Sequence, residues 1–199
     1  MYSDKIYPYL SKYLGIFERK KLIEKRKRSE SYNMILFGYN RVGYDLLQSF
    51  KKLKNEYLVV DYNPDTIMEL SKEGIACRYG DADDEEFLGE LNLKESELIV
   101  STIPAFETNL LLIDKIRQDD NKTIIIVVSQ NIDEANELYE RGATYVIMPH
   151  FLGGIHISKM IDEYQLDLNR FLKERKKHLK YLKNKKRANH EHPRPRKKS

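Results

Sequence analysis

The sequence predicts an α/β domain built on a doubly wound parallel sheet of about six strands, with a helical arm before it and a long helix after it. Three observations predict it. From Met34 onward, short β-rich runs alternate with segments of helical periodicity, the rhythm of parallel strands joined by crossover helices. Several runs are apolar at every position, Ile124–Val128 (IIIVV) most plainly, as strands covered by helices on both faces require. Between the first strand and the first helix lies a glycine turn, Gly38-Tyr39-Asn40-Arg41-Val42-Gly43.

The strands expected in order are Met34–Phe37, Tyr57–Asp61, Ala76–Tyr79, Leu98–Ser101, Thr123–Val128 and Tyr145–Met148. Helices are expected over 41–53, 64–73, 84–90, 106–117 and 132–141, the first shown by Val42, Leu46, Leu47 and Phe50. Gly74, Gly80 and Gly142 fall just past strand or helix ends, where a positive φ is commonly needed. Connections of two to six residues then suffice throughout.

The ends of the chain differ from its middle. Residues 1–32 read as an arm: Ile6, Tyr9, Tyr13 and Phe17 form a helical stripe with Leu10 and Leu14 beside it, Pro8 limits the first turn, and the basic run ERKKLIEKRKRSE follows. Residues 33–153 read as the nucleotide-binding α/β domain. Residues 154–188 read as a crossover and basic helix, with an apolar stripe of Ile157, Met160, Ile161, Tyr164, Leu168, Phe171 and Leu172 over 154–172. Residues 189–199 read as a disordered basic tail.

With 199 residues, 41% of them apolar, the chain can build one core of ordinary size. No apolar run approaches the roughly 18 residues needed to cross a bilayer, so the polypeptide reads as soluble. A single cysteine, Cys77, cannot form an internal disulfide, which suits a reducing cytoplasm; it reads as a small buried residue. The net charge of +4 hides segregation: nine Lys/Arg against four Asp/Glu in 1–33, eleven against twenty-two in 34–157, and fifteen against five in 158–199. An acidic body with basic arms implies that the arms meet an anionic surface, whether lipid, nucleic acid or the body itself.

The glycine turn follows the strand MILF directly and opens a helix, the context that gives the motif its meaning as a Rossmann-type phosphate site. Gly38 permits the sharp turn, and Gly43 lets the helix approach the strand. The free amides at the helix start, those of Tyr39 to Val42 among them, offer a phosphate N–H groups and a partial positive charge. Asn40 replaces the middle glycine of the dinucleotide fingerprint and crowds a pyrophosphate, while Arg41 supplies a guanidinium fork. Asp61 ends the strand YLVVD eighteen residues after Gly43, the spacing at which a carboxylate accepts from a ribose diol and repels a 2′-phosphate. The alternative is that Asp61 caps the helix near Asn63-Pro64. Tyr62 follows it. At the ends of strands three and four, Asp81 and Ala82 and then Ser101 and Thr102 lie on the same edge. Asp81 there either meets the adenine edge or caps a helix, and Ser101 and Thr102 either line the ligand or merely turn the chain.

These pieces together resemble the RCK domain, also called KTN or TrkA-N. The carriers are FGYNRVG, VVDYNP at 59–64, YGDADDEEFL at 79–88, VSTIP at 100–104 with Asn109-Leu110, and ERGATYVIMPHFLGG at 140–154, in order across roughly residues 33–165. The resemblance implies a cytosolic regulatory domain, not an enzyme, that binds AMP, ADP, ATP or NAD(H) and controls a potassium channel, a Trk-type uptake system or a Kef-like cation:proton antiporter. It also implies dimers joined through the helix after the sixth strand, here 154–172. The leader YSDKIYPYLSKYLGIFERK is similar to the stretch after the last membrane helix of such antiporters. That likeness implies a membrane transport domain as partner, in the same full-length chain or another, and a place at the inner face of the cell membrane.

Two other classes compete. An NAD-dependent oxidoreductase would need a substrate domain and an oriented base, but His150 and His156 lie beyond the sixth strand without a neighbouring acid. Nucleic-acid binding through the basic arms would use ERKKLIEKRKR and LKERKKHLKYLKNKKR, yet Tyr181 is the only aromatic residue interleaved for stacking. An anionic lipid surface fits the same residues. No metal site is predicted: His190 and His192 lack a third ligand, and Asp81, Asp83, Asp84, Glu85 and Glu86 read as a solvated helix start in preference to a cation site.

Overall fold

A computed structural model describes residues 31–39, 42–119 and 122–187. The arm expected at 1–32 lies outside these residues except for its last two, and the tail at 189–199 lies outside them altogether. Six parallel strands form one sheet in the order β3-β2-β1-β4-β5-β6: β1 (Met34–Phe37), β2 (Tyr57–Asp61), β3 (Cys77–Tyr79), β4 (Leu98–Ser101), β5 (Ile124–Val128) and β6 (Tyr145–Ile147). Chain order reverses between β1 and β4, so the sheet is doubly wound, as the sequence predicts.

The connecting helices are α1 (Val42–Leu53), α2 (Pro64–Lys72), α3 (Glu85–Glu90), α4 (Phe106–Asp119) and α5 (Ile132–Glu140). Alternate strand residues enter opposite layers, which explains the unbroken apolar runs. Ile35, Phe37, Leu58, Val60, Ile99 and Ile125 pack with Leu88 of α3, Leu112, Ile113 and Ile116 of α4, and Leu138 of α5. Met34, Leu36, Val59 and Val100 pack with Leu47 and Phe50 of α1 and Leu70 of α2. Of four glycines, Gly38, Gly74 and Gly142 have positive φ, but Gly80 does not. The reason for glycine at 80 is space: a Cβ there would lie 2.1 Å from the Phe87 ring.

Beyond β6, the expected single helix over 154–172 is two. Helix α6 spans Pro149–Tyr164, so the boundary expected at 153/154 falls inside it, and α7 spans Leu168–Arg187. Gln165, at φ 50°, ends α6. Asp167 starts α7 by accepting from the amides of Asn169 (2.9 Å) and Arg170 (3.3 Å). The apolar stripe spans both helices, and its Tyr164 and Phe171 meet across the corner edge to face, centroids 5.3 Å apart. No residue of α6 is buried. Cys77 is only half-buried, with its thiol 3.5 Å from the Ile67 carbonyl.

Candidate functional site

In a parallel sheet all strands end on one edge, and here a cleft of about 720 Å³ opens along that edge at the β1/β4 reversal. One wall comes from the ends of β1, β2 and β3, the other from the ends of β4 and β5 and the start of α6.

The glycine turn is built by mutual exclusion. Gly38 has φ +82°, and a Cβ on it would lie 2.6 Å from Thr102 Oγ1; a Cβ on Gly43 would lie 2.2 Å from the Gly38 carbonyl oxygen. The first glycine therefore turns the chain and the second brings α1 against it. The Thr102 hydroxyl donates to that Gly38 carbonyl at 2.9 Å, and the Thr102 amide donates to Phe37 O at 2.9 Å, so β4 fixes the turn from the other side. Gly38, Val42 and Thr102 line the cleft; Gly43 and Tyr39 do not. Asn40 and Arg41 lie outside the described residues.

Asp61, only 4% exposed, faces inward. One carboxylate oxygen accepts from the Tyr39 amide at 2.8 Å and the other from the Asn63 amide at 2.8 Å. These charge-assisted bonds offset the cost of burying the carboxylate, and each oxygen keeps a further lone pair. The alternative role as a helix cap belongs instead to Asn63, whose side chain accepts from the Asp65 amide at 2.9 Å. Tyr62, 71% exposed, flanks the opening. The Tyr39 ring packs edge-to-face on Tyr44, and burial, reinforced by the Glu73 carboxylate, pushes its phenol above the ordinary tyrosine range.

Asp81 and Ala82 line the next part of the rim, with Ala82 buried and Asp81 exposed. Asp81 accepts from the Asp83 amide at 3.1 Å, while Asp84 caps α3 by accepting from Glu86 and Phe87 amides at 2.9 and 3.1 Å. The acidic cluster thus starts a helix. Ser101 is fully buried and is not part of the lining; its hydroxyl accepts from the Ile103 amide at 3.3 Å. Of the expected pair, only Thr102 reaches the cleft.

Sequence reasoning missed the far wall. Thr108, Val128, Gln130, Pro149 and His150 line it, all at strand ends or at the first turn of the helix that follows. The rule that every strand of an open parallel sheet ends at its ligand edge was signal enough to find them. Asn109 shapes this wall although it is completely buried: its amide donates to Ile103 O and Val128 O, both at 2.9 Å, tying β4's exit to β5's end. Among the described residues its Oδ1 has no hydrogen-bond partner. No group of three or more His, Cys, Asp or Glu among them could hold a metal ion.

The chain matches the TrkA-N domain over residues 34–149. It is 20% identical over 146 residues to potassium channel protein 1 of Methanocaldococcus jannaschii, covering 72% of this chain and 44% of that protein. The chain thus spans less than half the length of this curated relative. The crystal structure of the TrkA-N domain of inner membrane protein ybaL from Escherichia coli superposes with a TM-score of 0.62 at 22% identity, covering 67% of this chain and 98% of the other. A Shewanella denitrificans Kef CTD in AMP-bound form superposes with a TM-score of 0.56 at 18% identity, covering 79% and 94%. At these identities the likeness of the structures establishes the fold.

Proposed function

Because the chain belongs to the TrkA-N domain family, we propose that it is a cytosolic regulatory domain that binds an adenine nucleotide and controls a monovalent-cation channel or cation:proton antiporter. The observation that carries this reading is the inward Asp61 carboxylate, fixed on the Tyr39 and Asn63 amides at the mouth of a cleft of nucleotide size. Its free lone pairs accept the ribose hydroxyls. Amides at the start of α1, with Gly38 and Thr102 beside them, receive the phosphate, and Asn40 and Arg41 complete that end. Asp81 and Ala82 border the adenine, with Tyr62 at the entrance.

The relatives support the choice of ligand and of partner: one is a potassium channel protein, and one Kef CTD was solved with AMP. Regulation requires that the nucleotide bind two arrangements of the protein with different affinity. The apolar residues that α6 leaves exposed, Phe151, Leu152, Ile155, Ile157 and Ile161, suit a homodimer, whose arrangement the ligand then biases. Ile155, Ile157 and Ile161, with the first residues of α7, belong to the dimer surface expected at 154–172, which Phe151 and Leu152 extend. The domain acts by binding, without a catalytic residue, at the inner face of the membrane that carries its transport partner.

The test is calorimetric titration of the full chain with AMP, ADP, ATP, NAD⁺ and NADH. Binding of at least one is expected. Absence of binding by all five at millimolar concentration removes the proposal.

A further inference from the structure

Helix α7 carries ten Lys/Arg against one Glu in its twenty residues, next to a body whose residues 34–157 hold eleven basic against twenty-two acidic groups. Its seating is specific. Lys185 donates to Asp45 in the first turn of α1 at 2.6 Å and to the Tyr181 hydroxyl at 2.9 Å, while Tyr181 donates to the same Asp45 oxygen at 2.8 Å. Burial works against the charge on Lys185, but its hydrogen bonds to Asp45 and Tyr181 outweigh that and raise its pKa overall.

With that side of α7 turned to α1, a different side faces outward. Leu179 and Leu182 fall on one line of the helix, beyond the residues given to the dimer, and are exposed by 47 and 45%. Lys176, Lys180 and Lys183 run beside them, all exposed. A second copy of α7 is a poor occupant for this pair, since Arg175 lies on the same line one turn before it and two helices of such charge repel. A nucleic acid would answer the charge and leave the leucines wet.

We propose that the outward face of α7 is a docking surface for anionic phospholipid: the leucines enter the acyl boundary, the lysines meet the headgroups, and the Asp45 latch holds the acidic body on the side away from the bilayer. This deepens the membrane-face reading proposed above and does not depend on the nucleotide.

The test is co-sedimentation of the full chain with vesicles of phosphatidylcholine alone and of phosphatidylcholine mixed with phosphatidylglycerol. Binding is expected only to the mixed vesicles and falls as salt is raised. Lys176→Glu, Lys180→Glu and Lys183→Glu each lower partitioning roughly fivefold or more, and Leu179→Ser and Leu182→Ser each lower it roughly tenfold. These positions are exposed, and an unchanged circular dichroism spectrum with unchanged nucleotide titration checks that the variants fold. Equal partitioning on both vesicle types overturns the proposal, as does full binding by the doubly substituted leucine variant. Tighter binding to a DNA duplex than to the mixed vesicles at the same salt, or a lipid-free dimer that Leu179→Ser or Leu182→Ser abolishes in ultracentrifugation, also overturns it. Failure of the vesicle arm with intact nucleotide binding rejects only the α7 surface, and the reverse result rejects only the cleft.

Discussion

The Asp61 carboxylate holds the Tyr39 amide at 2.8 Å across twenty-two residues of chain, so the residue that ends β2 also fixes the glycine turn after β1. The proposed ligand contact and the observed scaffold contact fall to one side chain. Asp61→Ala therefore loses both, leaving two amides without their acceptor at a cost of about 1–3 kcal/mol. Asp61→Asn keeps one acceptor oxygen and is expected to fall between wild type and alanine in urea denaturation, while its nucleotide affinity drops at least tenfold in calorimetry. Wild-type affinity in Asp61→Asn would reject the ribose assignment.

The two glycines of the turn are expected to be intolerant for different reasons. Gly43→Ala sets a methyl 2.2 Å from a backbone carbonyl that cannot swing away, so α1 must move off the sheet. A loss of about 1–3 kcal/mol is expected, seen as a fall in Tm of roughly 2–4 °C per kcal/mol. Gly89, which has nothing within 4 Å of its added Cβ, is the control. Gly89→Ala should stabilise by up to about 1 kcal/mol through helix propensity.

Asn109 is the buried clamp of the far wall. Asn109→Ala leaves the Ile103 and Val128 carbonyls unpaired and is expected to cost about 2 kcal/mol in urea denaturation. Asn109→Asp removes both donors and forces a carboxyl into a fully buried site, costing more than alanine. Equal stability of the alanine variant and wild type would mean that solvent already reaches these carbonyls.

Stability should fall in alkali. The folded state raises the Tyr39 phenol and the Lys185 ammonium above their ordinary values, so it binds more protons than the unfolded chain at high pH. Both contributions are whole below the unfolded values of about 10 and about 10.4 and are lost as pH climbs through the raised ones. Tyr39→Phe should flatten this loss in denaturation curves taken above pH 10, and Lys185→Met should flatten it further.

Dimerisation through α6 is expected to yield to one charge. Ile157 and Ile161 are 52 and 54% exposed on adjacent turns, and an aspartate at either position would be desolvated without a partner in a dimer. Sedimentation equilibrium should show Ile161→Asp shifted at least tenfold toward monomer, with its nucleotide titration unchanged. A wild-type chain that stays monomeric at every concentration would rule this surface out.

Composition and periodicity alone determined the sheet, because strands buried on both faces must be apolar at every position and because glycine has few substitutes where two backbones meet. The strand segments, the turn at Gly38 and Gly43, and the edge on which Asp61, Asp81 and Thr102 gather were legible for that reason. The division of labour among neighbours was not. Asn63 and Asp84 took the caps that Asp61 and Asp81 could have taken, Ser101 turned into the core while Thr102 faced the cleft, and Gln130 and His150 joined a wall from β5 and β6. The break at Gln165 was hidden by an apolar stripe that continues across it, and the seating of α7 on Asp45 rests on a contact spanning 140 residues. Local sequence sets which conformations a segment can adopt, but hydrogen-bond partners are chosen in competition among groups that only the folded chain brings within reach.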